Sequence, residues 1–239
     1  MSKYFTFSFD DGVTQDLRAI EIFKKHDFYG CTFFINTGLL GANWDHVGAL
    51  YGKPGVTHIR FTEEELKTGI YDGFDVAAHT LHHPSLSDYD DKPQKITEEV
   101  GRDAENIKRI FGYAPVGMSY PYGEFKATEK TIRTILETTG IRYSRGVDST
   151  HDFRLPDNFM IWRPTCSLTE DITLDLAKSF AELKTDKDAL FYVWCHAYEL
   201  DMYNTYDRLD KLIGMMSGKD GIKCVTNTEF YNLFKAKQV

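Results

Sequence analysis

Short apolar runs of strand character alternate with segments of helical periodicity along all 239 residues, and this alternation constrains the fold more than any other feature. YFTFSF (4–9) precedes a helical pattern starting near Thr14, with Leu17, Ile20 and Phe23 expected on one face. CTFFIN (31–36) runs into a Gly-rich loop that lasts through Gly55. TEEELKTGIY then opens with Thr62 and Glu65 at capping-box spacing. FDVAAH (74–79) is strand-like, and 93–112 is a long helix stopped by Gly112. The strand-like runs VGMSYP (116–121), IRYSRG (141–146), LFYVWCH (190–196) and IKCV (222–225) follow, with helices expected at 126–139, 170–184, 205–217 and 227–236. No repeat, low-complexity tract or linker interrupts the series, so one domain over residues 1–239 is expected. Alternating β and α calls for an α/β fold with a parallel sheet under helices. The length favours a barrel over an open sheet, and barrel chemistry gathers at the C-terminal ends of the strands.

Composition narrows the partners. Charged residues make up 27% and aromatics 14%, the profile of a folded domain. The net charge is −8 with no basic run, which argues against nucleic acid and anionic membrane as main partners. Cys31, Cys166, Cys195 and Cys224 are widely spaced, and three of them sit in strand-like apolar contexts, so they are read as small hydrophobes, not as disulfides. No apolar run is long enough to span a bilayer, and the N-terminus lacks a secretory apolar region, so a cytoplasmic location is expected if Met1 is the natural start. A secreted chain trimmed of its leader would look the same.

Three strand ends carry unusual chemistry. The first ends in Asp10 and Asp11, the third in HTLHH (79–83), and the run at 190–196 in His196. An isolated Asp-Asp-Gly would be read as a turn. Three imidazoles within five residues at the exit of a buried strand are harder to explain by packing. His79 and His83 are spaced i, i+4 and would share a face if a helical turn followed the strand, while His82 at i+3 competes as the partner. Two imidazoles and one carboxylate make an open three-ligand site for a divalent ion, with Zn²⁺ as the default and Co²⁺, Ni²⁺, Mn²⁺ or Fe²⁺ also acceptable. One aspartate of the pair could bind the ion while its neighbour serves as base toward water.

SFDDG (8–12), HTLHH (79–83), YPYG (120–123) and the strand ending at His196 resemble, in order, the motifs of the polysaccharide deacetylases, the NodB-like enzymes of carbohydrate esterase family 4. The resemblance spans residues 8 to 196. It implies a distorted (β/α) barrel of about seven strands and metal-dependent removal of acetyl groups from N- or O-acetylated sugars or oligosaccharides. Carried over by position, it makes Asp10 the general base, Asp11, His79 and His83 the metal ligands and His196 the general acid. His82 becomes a bystander, and the backbone N–H of Tyr122 joins the ion in holding the oxyanion.

The match breaks in two places. Ser119 stands where most members carry an Arg that orients the base, with Tyr120 at the first Pro, and the last motif reads WCHAYE. A cation beside Asp10 would keep it ionised, so Arg145, at the end of IRYSR, is the first candidate substitute and Arg163 the second. Glu199 is a candidate for orienting one of these groups. Trp162 and Tyr198 are candidates for stacking on a sugar, Tyr122 another, while Trp44 is read as ordinary packing. The loop at 37–60 and the stretch 87–92 are candidate walls of the site. The departures leave room for a non-sugar linear or cyclic amide as substrate, and a different class of reading is an inactive sugar-binding relative.

Overall fold

The computed structural model describes residues 1–235. In chain order its regular elements are β1 (Lys3–Asp11), α1 (Asp16–Lys25), β2 (Cys31–Ile35), α2 (His46–Leu50), α3 (Glu63–Leu66), β3 (Asp75–Ala78), α4 (Pro93–Phe111), β4 (Gly117–Ser119), α5 (Glu129–Thr138), β5 (Tyr143–Arg145), β6 (Cys166–Ser167), α6 (Thr173–Glu182), β7 (Ala189–His196), α7 (Ala197–Tyr203), α8 (Tyr206–Met216), β8 (Ile222–Cys224) and α9 (Asn227–Phe234). Residue 236 of the helix expected at 227–236 lies outside the described residues.

All strand pairs are parallel, in the order β5-β4-β3-β2-β1-β7-β6, with β8 against β1. β1 lies at the centre. β7 pairs along it from Lys3 to Asp10, while β8 takes the start of its other edge and β2 the end. The sheet curls into a single-domain distorted (β/α) barrel. Its open side, between β5 and β6, is spanned by the segment around Trp162, which makes a one-residue bridge to Arg145. β6 has only two residues, too few for a periodic signal, and was not expected from the sequence. α2 and α7 are further short helices where the sequence suggested loop or strand end.

The period-two alternation of the strands separates two cores. Phe5, Phe7 and Phe9 of β1, Phe33 and Ile35 of β2, Met118 of β4, and Phe191 and Val193 of β7 pack outward under the helices. Tyr4, Phe34, Ala77, Tyr143, Leu190 and Tyr192 turn to the other face, where Phe159, Trp162, Phe230 and Phe234 complete a second cluster. Cys31, Cys166 and Cys195 are buried and all four cysteines are free, in keeping with their reading as small hydrophobes. The capping box at Thr62 and Glu65 forms, although α3 lasts one turn, and Gly112 closes α4 in the left-handed conformation. Leu17 is largely exposed. α1 starts at Asp16, and its buried stripe runs through Asp16, Ala19, Ile20 and Phe23.

Gly117 marks how closely β4 and β5 approach on the inner face. A Cβ there would lie 1.8 Å from Cζ of the buried Tyr143 ring. Gly117→Ala is therefore expected to destabilise the protein by about 1–3 kcal/mol through overpacking. Urea denaturation measures this, and a midpoint equal to wild type would refute the close approach.

Candidate metal centre

The register across the sheet brings the chemical residues to one rim. Asp10 stands beside His196 on β7, Asp11 beside Ile35, Ile35 beside Ala78, Ala78 beside Met118, and Ser119 beside Arg145. Asp10, His79, Ser119, Arg145 and His196 share the sequence parity of the inner-face residues of their strands. They surround the C-terminal mouth of the barrel.

Asp10 is buried and forms an ion pair with the fully buried Arg145. Ser119 donates its hydroxyl to the other carboxylate oxygen at 3.3 Å. Burial would raise the Asp10 pKa, but Arg145 foremost, with His79 and His196, holds it below the usual carboxylate value. Arg145 thus occupies the place beside Asp10. Arg163 lies elsewhere, half-exposed and paired with Glu124 at 2.9 Å.

His79 is fixed from both sides. Its Nδ1–H faces the Ser119 carbonyl at 3.0 Å and the Ser119 hydroxyl at 2.6 Å, which leaves Nε2 as the bare lone pair. That nitrogen is buried with no hydrogen-bond partner, 3.7 Å from Asp10 Oδ2 and 3.8 Å from Asp11 Oδ1. Its backbone N–H goes to Asp103 Oδ2 at 2.9 Å, and Asn36 holds the carbonyls of His79 and Thr80. His83 Nε2 lies 3.9 Å from Asp11 Oδ1, and its Nδ1 is also buried without a partner. Burial, with His79 beside it, pushes the His83 pKa down to about 3, and burial lowers that of His79 too, so both imidazoles are neutral. No helical turn follows β3. Thr80 and His83 both take positive φ in an irregular loop, and this folding back brings His83 to His79. His82 points away, exposed and paired with Glu99 at 2.9 Å.

Asp11, His79 and His83 each offer a ligand atom within 4.8 Å of the others. Two neutral imidazoles, His79 with its Nε2 bare and His83 with its Nε2 facing Asp11, and an ionised carboxylate are the donor set a catalytic divalent ion requires, so the residues present fit such an ion. His58 and Arg60, which sequence reading passed over, hold Asp11: His58 Nε2 reaches Oδ2 and Arg60 Nη2 reaches Oδ1, both at 3.0 Å. Burial would raise the Asp11 pKa, but these partners hold it well below the usual value. The alternation His58-Ile59-Arg60 was the one available signal. Its meaning depends on the bridges Val13↔Arg60 and Asn43↔Ile59, which lay the segment beside the end of β1.

His196 contacts Glu199 through Nδ1 at 3.1 Å, and Glu199 also accepts the His196 backbone N–H at 2.9 Å. Burial opposes protonation, yet the carboxylates, Glu199 foremost with Asp11 and Asp10, together outweigh it and raise the His196 pKa to about 9. A cavity of about 580 Å³ opens over these groups. Trp44, Val47, Leu50 and Tyr51 wall it on one side, with Tyr122, Trp194 and Tyr198 on the others, so the loop at 37–60 is a wall of the site. The stretch 87–92 is not. Its Asp90 instead accepts hydrogen bonds from Thr128 and Thr131 at the start of α5.

Two aromatic expectations are revised. Trp162 is fully buried among Tyr143, Phe159, Tyr192 and Phe230 and offers no face to a ligand. Its neighbourhood to Arg145 in the fold comes from closing the barrel's open side. Trp44 is not mere packing. It lines the cavity, with its ring 5.7 Å from His58 and 6.2 Å from His83.

The family model for polysaccharide deacetylases matches residues 2–144. The chain belongs to that family. No curated protein matches it. Among solved structures, it resembles a family 4 acetyl xylan esterase from Clostridium thermocellum in complex with a cobalt ion, at 13% identity and a TM-score of 0.59, over 97% of this chain and 92% of that one. It also resembles a family 4 carbohydrate esterase from Streptomyces lividans in complex with acetate, at 14% identity and a TM-score of 0.56, over 93% and 91%. A third is the peptidoglycan deacetylase PdaC from Bacillus subtilis, at 17% identity and a TM-score of 0.54, over 99% and 94%. At these identities the likeness is one of fold.

The cluster generates a direct test. Asp11→Ala, His79→Ala and His83→Ala should each lower divalent-metal affinity at least about tenfold, and His82→Ala should leave it as in wild type. Metal analysis after equilibrium dialysis reads this, and retention in the His83 variant with loss in the His82 variant would reassign the third ligand.

Proposed function

We propose that this chain is a divalent-metal-dependent hydrolase that removes acetyl groups from N- or O-acetylated sugars or oligosaccharides, with Asp11, His79 and His83 as metal ligands and the whole of residues 1–239 as its catalytic domain. The observation that carries the proposal is the convergence of an ionised Asp10, a protonated His196 and the neutral imidazoles of His79 and His83 around one cavity. When bound, a divalent ion, most simply Zn²⁺, supplies a Lewis acid that polarises the acetyl carbonyl and acidifies water.

The chain's own residues do the rest. Asp10, kept ionised by Arg145, takes the proton from the attacking water. The Tyr122 N–H, at a residue turned to positive φ on the cavity wall, donates to the developing oxyanion. His196 gives its proton to the departing nitrogen or oxygen, which an amine leaving group requires. At neutral pH the base is ionised and the acid protonated, the opposite states that the two roles need. Tyr198 and Trp44 are the aromatic faces available to a sugar ring.

The polymers named for the structural neighbours, xylan and peptidoglycan, are the first to try. A second reading, a non-sugar linear or cyclic amide, is favoured by one observation: the aliphatic Val47 and Leu50 sit in the cavity wall among the aromatics. Four free cysteines are compatible with a reducing, cytoplasmic setting.

Acetate release from acetylated xylan, N-acetylglucosamine oligomers and small acetylated sugars and amides is the deciding assay. Asp10→Asn should retain the ion and lose about 10²–10⁴-fold in rate; an undiminished rate would remove Asp10 from the mechanism. Glu199 supplies a second test. A general acid works only while protonated, and Glu199 holds His196 protonated toward pH 9. Glu199→Gln should therefore move the alkaline fall of kcat/KM to lower pH by about one unit or more. An unmoved limb would show that His196 is not the group being read.

A further inference from the structure

The two oxygens of Asp11 are held in different ways. Oδ2 takes the Nε2–H of His58, whereas Oδ1 takes a guanidinium N–H of Arg60. Oδ1 is also the oxygen turned toward the imidazoles, 3.8 Å from His79 Nε2 and 3.9 Å from His83 Nε2. Arg60 Nη1 lies 3.4 Å from His58 Nδ1, which can only accept from it, so the nitrogen facing Asp11 is the one that donates. The Arg60 guanidinium is fully buried, lies 4.0 Å over the Trp44 ring, and among the described residues has Asp11 as its one salt-bridge partner.

These contacts have opposite consequences for an ion. A neutral donor on the far oxygen orients a ligating carboxylate without drawing on the lone pairs that face the ion. A full positive charge on the near oxygen shares those lone pairs and repels a second cation across a medium that screens poorly.

We propose that Arg60 is a positioning residue that holds Asp11 in place when no ion is bound and opposes the ion when one is, so that the site exchanges its metal readily. His58 is the orienting partner that acts in the other direction. Both lie on the segment that also carries the cavity wall from Trp44 to Tyr51, so one loop sets both the substrate space and the grip on the ion. The inference rests on the reading of Asp11, His79 and His83 as metal ligands.

The test is Co²⁺ affinity of the full chain, stripped with chelator and titrated against a chromophoric competitor, with the visible Co²⁺ band reporting the ligand set. Arg60→Gln removes the charge and, being shorter, also withdraws the N–H from Oδ1. It should bind Co²⁺ about tenfold or more tightly than wild type with the same band, because the repulsion and the competition for the Oδ1 lone pairs have gone while His58 still orients Asp11. Arg60→Lys restores the charge and should return the affinity toward wild type, while His58→Ala should weaken it about tenfold. Ion-free Arg60→Gln should melt below wild type and gain more in Tm on adding Co²⁺. If the Gln variant does not fold, Arg60→Met, an uncharged apolar side chain beside the Trp44 ring, is read the same way. Equal or weaker binding in the neutral variant overturns the proposal, since a merely structural arginine predicts that result. Wild-type protein that binds no Co²⁺ sinks the metal reading itself, an outcome distinct from the first.

Discussion

The parallel ladder along β1 is the constraint on which the rest of the structure depends. β1 is bonded along one edge to β7, and its end is bonded on the other edge to β2. In a parallel sheet every strand ends on the same side, so the residues that leave the ladder are neighbours however far apart they lie in sequence. Asp10 and His196 are separated by most of the chain yet stand as partners in register. A shift of one residue would turn Asp10 outward into the aromatic layer and Phe9 into the mouth. The alternating Phe5, Phe7 and Phe9 therefore secure the site as well as the core.

Two buried carboxylates at one rim need compensation, because desolvation alone would drive them neutral. The fold supplies one arginine to each, Arg145 to Asp10 and Arg60 to Asp11. They arrive by different routes: Arg145 ends a strand two places across from β3, and Arg60 lies in an irregular segment that bridges back to Val13. Removing one partner from such a pair costs about 3–5 kcal/mol, since an unpaired buried charge remains. The pairs are also selective. They keep the carboxylates ionised, while the two imidazoles facing them stay neutral because burial dominates there.

The sequence made the fold legible where its periodicities were long. The alternating strand and helix patterns, the Gly112 stop and the Thr62 capping box all have local causes that survive in the folded chain. The position of Arg145 was legible for the same reason, because it closes a strand whose parity can be counted. His58 and Arg60 were not, since their partner is created by a loop that folds across the mouth. Trp162 was not, since its burial depends on the closure of the barrel between β5 and β6, which has no local signature in the sequence. Spacing left His82 and His83 as rival partners of His79, and the helical turn on which that argument rested does not form. There the resemblance to a known family alone chose His83 over His82.

That loop shows where the fold accepts strain. Seven non-glycine residues among those described have positive φ, and four of them, Asp11, Thr80, His83 and Tyr122, belong to the site. Thr80 is the least suited, because a β-branched side chain crowds that conformation. Each such residue costs about 1–3 kcal/mol unless its surroundings over-determine it. Here they do. Asn36 takes the carbonyls of His79 and Thr80, Asp103 takes the His79 N–H, and the Thr80 hydroxyl takes the His83 N–H at 3.1 Å. Asp103 also binds the Thr37 N–H and hydroxyl, so the exits of β2 and β3 are tied to one side chain of α4. A relaxed helical turn after β3 would have satisfied the backbone more cheaply. The strained path instead turns His83 back toward Asp11, and the buried hydrogen bonds around it are what keep that path closed to relaxation.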